Sequence, residues 1–226
     1  MSDEMTVIKT IAIAGGTGKE GKGLAYRWAK AGFRVIIGSR AQEKAQAAAV
    51  ELNQVLGGVA KVEGLTNPQA AAQADLVVLT VPFEAHIPTL EGLREQLAGK
   101  ILVDVSVPLV PPKVTKVQMP AAGSAALEAR QTLGEGQRIV SAFQNISYEH
   151  LLHDEEITCD VLVTGTDKEA RGIVLGLVKD AGMVGWDAGP LENSVVLEGM
   201  TSILIGINKQ FGVQSAGIQI TGVPRP

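Results

Sequence analysis

The chain has 226 residues and a formal net charge of −4; 46% of its residues are hydrophobic, 19% are charged and only 4% are aromatic. This length corresponds to one to one and a half ordinary domains, and the apolar content excludes a disordered chain. The single cysteine excludes an internal disulfide framework, and the lack of a Lys/Arg run argues against nucleic-acid binding. With no apolar run near the roughly 18–20 residues of a membrane span and no secretory signal pattern, we expect a cytoplasmic protein.

Apolar runs bounded by turn residues alternate with helical periodicity through the first two thirds of the chain. Strands are predicted at residues 7–14, 34–37, 61–64, 76–81, 101–105 and 138–143. Helices are predicted at residues 20–31, 41–56, 67–74, 90–97 and 124–133, with a proline-bearing loop before the last of them. The fourth strand is apolar throughout, as expected of a strand covered on both faces.

The remaining residues repeat this pattern, with a strand at 160–164, a helix at 168–181, an extended segment at 184–187 and a long helix at 191–211. In the long helix, apolar residues at spacings of three and four form a seam that must pack on this chain or on a second subunit: Leu197, Met200, Leu204, Ile207 and Phe211. Strand–helix alternation predicts an α/β fold with a doubly wound, mainly parallel sheet. A boundary near residue 150 would separate residues 1–150 from a smaller C-terminal α/β part, residues 151–226.

The first glycine cluster has the spacing of a dinucleotide-binding turn. Gly16, Gly18 and Gly21 form G-x-G-x-x-G directly after the first predicted strand and at the start of the first helix, which is the context this motif requires. We expect Gly16 to permit the sharp turn, Gly18 to admit a pyrophosphate, and Gly21 to let the helix pack close to the strand. The free N–H groups and partial positive charge of the helix N-terminus would then bind the anion. An ordinary glycine-rich turn is the alternative, but position and spacing favour a Rossmann-type site.

The end of the second predicted strand indicates which dinucleotide is bound. NAD-binding folds place an acidic residue about 20 residues beyond the glycines, where it accepts a hydrogen bond from the ribose 2′-OH. Here Ser39 and Arg40 stand at that point, with Lys44 one helical turn later. Hydroxyl, guanidinium and ammonium donors suit a 2′-phosphate, so we predict NADP(H). The alternative is a solvated basic helix start.

The reactive end of the site is expected at the carboxyl ends of the central strands. The candidate residues there are Thr80, Val81, Pro82 and Phe83 at the end of the fourth strand, Leu109 after the fifth, and Gln144 after the sixth. Phe83 and Ile87 are placed to flank the adenine or ribose, although core packing is an equal alternative for Ile87. Gln144 is a polar group at the mouth of an apolar site, so it could orient a second ligand.

The sequence lacks acid–base machinery of the usual kind. His150 and His153 lie in a charged stretch that favours a solvated surface over a metal site, and Cys159 has no histidine nearby. We therefore expect no metal and no catalytic side chain. Direct hydride transfer between two bound cofactors needs no protein acid and fits these residues best, with positioning supplying the catalysis.

Six segments, spread in order over nearly the whole chain, together resemble one known family. They read GGTGKEGKGLA, VIIGSRAQEKA, VLTVPFEAH, IVSAFQNIS, DAGPLENS and GVQSAGIQI, and the chain resembles the NADPH-dependent coenzyme F420 reductases (F420:NADP oxidoreductases). The resemblance implies an NADP-binding Rossmann domain at residues 1–150, and a C-terminal part that closes an apolar cleft over the deazaflavin and contributes to a homodimer contact. It also implies a cytosolic enzyme that transfers a hydride reversibly between nicotinamide C4 of NADP(H) and C5 of F420.

The resemblance also implies particular site residues. Phosphate-loop contacts fall on Thr17, Gly18, Lys19 and Glu20, a 2′-phosphate clamp on Ser39, Arg40 and Lys44, and further NADP contacts on Phe83, Ile87 and Leu109. Where family members often carry a histidine beside the deazaflavin, this chain has Gln144, with Ile146 two residues on. Ala216 matches a small-residue segment that permits ring-on-ring approach. The implied partners are small-molecule cofactors and a second copy of the chain.

Two other functions remain open from the residues alone. An NADP-dependent reductase of a small imine or carbonyl, of which pyrroline-carboxylate reductases are an example, would be expected to place a Lys, Ser or Tyr proton donor on the long C-terminal helix. That helix offers only Asn193, Ser194, Thr201, Ser202, Asn208 and Lys209, so this function is less favoured. A non-catalytic NADP(H) sensor would bind NADPH without turning over any acceptor.

Overall fold

A computed structural model describes residues 7–226, and in it eight strands form one sheet in the order β3-β2-β1-β4-β5-β6-β7-β8. The strands are β1 (Thr10–Ala14), β2 (Arg34–Ser39), β3 (Val62–Thr66), β4 (Leu76–Leu79), β5 (Ile101–Asp104), β6 (Arg138–Ser141), β7 (Val161–Gly165) and β8 (Gly185–Pro190). The α-helices are α1 (Lys19–Lys30), α2 (Gln42–Leu56), α3 (Asn67–Gln73), α4 (His86–Leu97), α5 (Ala125–Leu133), α6 (Lys168–Asp180) and α7 (Ser194–Phe211).

The sheet has the topology that strand–helix alternation predicts. Every neighbouring pair is parallel except β6 and β7, which are antiparallel. The order of the first six strands, 3-2-1-4-5-6, is that of a Rossmann-type doubly wound sheet, and it confirms the predicted fold class. β7 and β8 extend this same sheet, so the predicted division near residue 150 falls where the strand direction changes.

Alternate residues of the central strands build two separate apolar clusters, one on each face of the sheet. In β1, Ile11 and Ile13 belong to one cluster, and Ala12 and Ala14 to the other. This follows from the two-residue side-chain period of a strand, and a strand buried on both faces therefore reads as an unbroken apolar run. The larger side chains of β1 face α1 and α2, whereas the alanines leave room for α3 to pack close.

Trp28 joins the N-terminal and C-terminal parts of the chain through the core. Its ring is fully buried, and Nε1 donates a hydrogen bond of 2.9 Å to the backbone oxygen of Leu177 in α6. The ring also packs edge-to-face on Phe143, with centroids 5.7 Å apart at an angle of 84°. Such aromatic pairs contribute about 0.5–1.5 kcal/mol beyond the area they bury. Residues 151–226 therefore share a core with the preceding residues of the chain.

Several predicted boundaries were wrong, and the sheet explains most of the differences. β1 starts at Thr10, not at residue 7. β3 runs to Thr66, beyond the predicted residue 64, because it pairs with the whole end of β2. β4 ends at Leu79 and β6 at Ser141, each two residues earlier than predicted, because the chain leaves the sheet there. After β6, Phe143 adopts a φ of 74°, which a strand residue does not.

The last helix also differs from its prediction. Residues 191–193 form a 3₁₀ turn, and α7 starts only at Ser194. The predicted seam is covered only in its first part, because Leu197 and Leu204 are buried by this chain while Phe211, at the last turn of the helix, is 69% exposed. The buried carboxylate of Glu198 helps to hold α7, accepting hydrogen bonds from the N–H groups of Ala125 and Ala126 at the start of α5, at 2.6 and 3.1 Å.

Candidate active site

The glycine turn follows β1 directly, but its left-handed residue is not the one predicted. Gly15 has a φ of 74°, whereas Gly16 is required for space, since a Cβ there would lie 2.8 Å from the Ile13 carbonyl oxygen. The structure thus assigns the sharp turn to Gly15, which the sequence analysis left out. A Cβ at Gly21 would lie 2.6 Å from the Gly16 Cα, so this glycine does allow α1 to approach the turn closely.

Hydrogen bonds to β2 and to the first residue of α3 hold this turn. The Gly16 N–H donates to the Gly38 oxygen at 3.0 Å, and the Gly15 N–H donates to Asn67 Oδ1 at 3.1 Å. Asn67 is the first residue of α3 and lies 52 residues along the chain, so local sequence gave no sign of this support. Gly18 is the N-cap of α1 and has no side-chain cap, which leaves the first N–H groups of that helix open to an anion.

A cleft of about 1040 Å³ opens beside this turn, at the carboxyl edge of the sheet. Its volume is at the upper end of the roughly 300–1,000 Å³ of ordinary ligand pockets. Twelve of the predicted site residues line it: Thr17, Gly18, Glu20, Arg40, Thr80, Val81, Pro82, Phe83, Leu109, Gln144, Ile146 and Ala216. The fold therefore brings residues from both ends of the chain into one site.

A second cavity of about 580 Å³ lies at the end of β2. It is lined by Ser39 and by residues of α3 and α4, and it shares Arg40, Pro82 and Glu84 with the larger cleft. Ser39 is buried, and its hydroxyl accepts a hydrogen bond of 3.4 Å from the Ala41 N–H; Arg40 is exposed. The two cavities together make an elongated site with a basic side chain at their junction.

Five predicted site residues lie outside the lining of both cavities. Gly16 and Gly21 pack against the protein, because a Cβ at Gly16 would meet Ile13 and a Cβ at Gly21 would meet Gly16 and Thr80. Lys44 is exposed on the first turn of α2. Lys19 lies over the ring of Tyr148, 4.6 Å from its centroid, and its Nζ is 3.7 Å from Glu149. Ile87 packs against the apolar cluster beneath α4, so the core-packing alternative describes it in this structure.

Glu20 stands in the first turn of α1, where it lines the cleft without a polar partner. Its Oε1 is buried and has no hydrogen-bond partner within residues 7–226. Burial raises the pKa of Glu20 to about 8. The carboxyl group is therefore mainly protonated at neutral pH, and it adds little negative charge where an anion would bind.

Gln144 forms part of the opposite wall, and its amide orientation is fixed by the backbone. Nε2 donates 2.7 Å to the carbonyl oxygen of Asp104 and 2.8 Å to the hydroxyl of Ser141. Because a carbonyl oxygen can only accept, the amide cannot be reversed, and Oε1 is buried with no hydrogen-bond partner among residues 7–226. Thr201 of α7 reaches this wall and donates 2.7 Å to the backbone oxygen of Gln144.

A buried His86–Asp104 pair lies behind this wall, and the sequence analysis missed it. His86 Nε2 is 2.7 Å from Asp104 Oδ2, and both side chains are buried. Burial opposes a charge on His86, but Asp104 and Glu128 outweigh it and raise the pKa of His86 above its usual range. Asp104 also accepts from the Ser106 N–H at 3.0 Å, so the pair fixes the residues that leave β5 for the cleft. The sequence signal for this pair was Asp104, a carboxylate at the end of the apolar run of β5.

The sheet order and the glycine turn define a Rossmann-type nucleotide-binding protein. A family model described as NADP oxidoreductase coenzyme F420-dependent matches residues 10–108. The chain is 41% identical over 221 residues to an F420-dependent NADP reductase of Methanocaldococcus jannaschii, covering 94% of this chain and 98% of the relative. The chain therefore belongs to the family of coenzyme F420-dependent NADP oxidoreductases.

Two further similarities extend over the same length. An F420-dependent NADP reductase of Methanothermobacter thermautotrophicus is 42% identical over 225 residues, covering 96% of this chain and 97% of the relative. A crystal structure from Arthrobacter sp. FB24, described as a candidate F420-dependent NADP reductase, superposes with a TM-score of 0.78 at 25% identity, covering 95% of this chain and all of that one. The family resemblance drawn from the six sequence segments is thereby confirmed.

Proposed function

We propose that the chain catalyses reversible hydride transfer between NADP(H) and the deazaflavin coenzyme F420. The observation that carries the proposal is the one cleft into which the glycine turn, Arg40 and the C-terminal residue Ala216 all project. The relatives that share nearly the whole length of the chain are F420-dependent NADP reductases. When both are bound, the nicotinamide supplies a hydride and the deazaflavin accepts it.

The residues of the cleft suit an NADP molecule. At Gly18, a Cβ would meet nothing within 4 Å, so the space above the start of α1 is open to a pyrophosphate. We propose that the N–H groups around Thr17 and Gly18 bind it, that Ser39 and Arg40 bind the 2′-phosphate, and that the nicotinamide lies toward Thr80 and Val81. Lys44 is exposed and can contribute a longer-range attraction to the same phosphate.

The rest of the cleft suits a flat, mostly apolar second ligand. Its lining includes the aliphatic residues Leu109, Ile146, Leu204 and Ile205 and the small residue Ala216, together with the polar residues Thr201, Asn208 and Gln214. These walls would exclude water from the reacting rings, and Gln144 Oε1 would offer one acceptor to a ligand N–H group. The chain's contribution is thus positioning and exclusion of water.

Mixing the purified chain with NADPH and oxidised F420 should bleach the deazaflavin absorbance. A matched mixture with NADH should react far more slowly, because the 2′-phosphate contacts are lost. Persistence of the absorbance while NADPH binds normally would contradict the proposed reaction and favour the sensor alternative. The imine or carbonyl alternative would need a proton donor on α7. Thr201 lines the cleft, but its hydroxyl already donates its hydrogen to the backbone oxygen of Gln144, which disfavours that role.

Glu20→Gln should remove a pH dependence from NADPH binding. The pKa of Glu20 is about 8, so raising the pH from 7 to 9 places a negative charge beside the pyrophosphate position. Over that range the Kd for NADPH should rise by about ten-fold in the unaltered chain, since a unit charge a few ångströms away costs roughly 1–3 kcal/mol at the effective dielectric of a protein. Fluorescence titration of NADPH at each pH measures this, and an unchanged slope in Glu20→Gln would count against a role for Glu20.

We further propose that the chain acts as a cytoplasmic homodimer. α7 presents an apolar face to solvent, with Val196 61%, Ile203 55% and Phe211 69% exposed, and a second copy of the helix would bury it. Within residues 7–226, no helix is long and apolar enough to cross a membrane. Sedimentation should give about twice the 23.6 kDa chain mass, and Ile203→Asp should lower it to that of one chain; a single-chain mass without the substitution would contradict the dimer.

A further inference from the structure

The segment after α7 forms a wall of the cleft without any regular structure of its own. Residues 213–225, here called the C-terminal strap, contain no helix or strand, and every one of them is exposed or half-buried. Gln214 and Ala216 nevertheless line the cleft. Since the strap buries no side chain fully in either apolar cluster, polar contacts must hold these two residues at the site.

Two cleft residues hold them directly: Ser147 Oγ donates to the Gln214 oxygen at 3.0 Å, and the Ala216 N–H donates to Asn208 Oδ1 at 2.8 Å. The later residues of the strap contact Asp160, which is fully buried directly before β7. Its Oδ2 accepts from the Ile220 N–H and from Trp186 Nε1, both at 2.8 Å, and its Oδ1 accepts from Arg225 Nη2 at 2.7 Å. The Asp160 N–H donates to the Ile218 oxygen at 2.8 Å. Burial opposes the charge of Asp160, but these donors outweigh it and leave its pKa below the usual range.

The same residue is also tied to the cleft from the other side. Asn145, which lines the cleft, donates through Nδ2 to the Asp160 backbone oxygen at 2.7 Å. Beside it, Cys159 Sγ accepts from the Ile218 N–H at 3.3 Å, and a Cβ added at Gly217 would lie 2.6 Å from that sulfur. The strap thus lies directly on Cys159, which is the only cysteine of the chain.

We propose that Asp160 is a positioning residue that pins the C-terminal strap against the cleft and so fixes the wall on which the second ligand packs. This inference rests on the proposed function for the identity of that ligand, F420, and adds a residue outside the cleft that controls its binding. Within residues 7–226, no hydrogen bond joins the strap to the glycine turn or to Arg40, so releasing the strap should weaken F420 binding and leave NADPH binding unchanged.

Cys159 provides a direct readout of strap release, since it is half-buried and Ile218 and Gly217 cover part of its sulfur. In the chain free of ligands, Asp160→Asn should speed labelling of Cys159 by a disulfide reagent by about ten-fold or more. The reason is that hydrogen bonds to a buried charged acceptor stabilise a contact strongly, so their loss should release the strap. Arg225→Gln should speed it by about three-fold, because that arginine is partly exposed. Arg171→Gln is the matched control: it breaks a similar pair with Asp187 at 2.7 Å, and the hydrogen bonds of Asp187 come from Arg171 and Gly189, not from the strap.

The same variants should raise the KM for F420 by a comparable factor while the Kd for NADPH stays unchanged, and Arg171→Gln should change neither. Labelling rates equal to that of the control would overturn the pinning role. Faster labelling with an unchanged KM for F420, or with an equal loss of NADPH affinity, would overturn the role in positioning the second ligand. If the unaltered chain does not reduce F420, the proposed function fails, while the labelling rates still decide whether Asp160 holds the strap.

Discussion

Arg40→Ala should weaken NADPH binding by about ten- to a hundred-fold and leave NADH binding nearly unchanged. A hydrogen bond to a charged group contributes about 1.5–3 kcal/mol, and only NADPH carries the 2′-phosphate that Arg40 would contact. Arg40 stands at the junction of the two cavities, directly after β2, so its loss should not disturb the core. Calorimetric titration of both dinucleotides measures the ratio of the two Kd values.

Arg34→Ala is the matched control, since Arg34 lies at the opposite end of the same strand and pairs with Glu63 at 2.8 Å. It should alter the affinity for neither dinucleotide. Lys44→Ala should have a much smaller effect than Arg40→Ala, because Lys44 is exposed and lines neither cavity. An equal loss of NADPH and NADH affinity in Arg40→Ala would show that Arg40 acts on something other than the 2′-phosphate.

The fold could be predicted from the sequence because its main signals are local. β1 and β4 are buried on both faces, so each reads as a short unbroken apolar run, and glycines or capping residues mark the ends of α2 and α5. The strand boundaries were less predictable, because a strand ends where its neighbour stops pairing. The extra residues of β3, for example, depend on the length of β2.

The part of the site that one short segment forms could be predicted from the sequence. The parts that form where distant segments meet were predicted incompletely. The G-x-G-x-x-G spacing located the turn, yet the left-handed conformation falls on Gly15, because backbone angles depend on the strands packed around the turn. Asn67 supports Gly15 from 52 residues away, and the buried pair of His86 and Asp104 has no local pattern. Nothing in the sequence around Asp160 indicates that it binds the C-terminal strap.

The glycines of the motif differ in which atoms an added side chain would contact. Substitutions at them should therefore distinguish an effect on ligand binding from an effect on stability. Gly18 has a φ of −74° and a ψ of 170°, angles that alanine adopts freely, and a Cβ there would have no atom of the described part of the chain within 4 Å. At Gly21, a Cβ would lie 2.6 Å from the Gly16 Cα and 2.8 Å from Thr80 Oγ1. A methyl group at Gly18 would therefore collide with a bound ligand, whereas one at Gly21 would collide with the protein itself.

Gly18→Ala should therefore keep the stability of the chain and lose about a hundred-fold or more in NADPH affinity, because the added methyl group takes the space through which a pyrophosphate approaches the backbone. At a compatible backbone position this substitution even stabilises a protein by about 0.4–1 kcal/mol, so the Tm should stay equal or rise slightly. Gly21→Ala should instead lower the free energy of unfolding by about 1–3 kcal/mol through overpacking. Thermal unfolding and NADPH titration of both variants give the comparison, and undiminished NADPH binding by Gly18→Ala would place the pyrophosphate elsewhere.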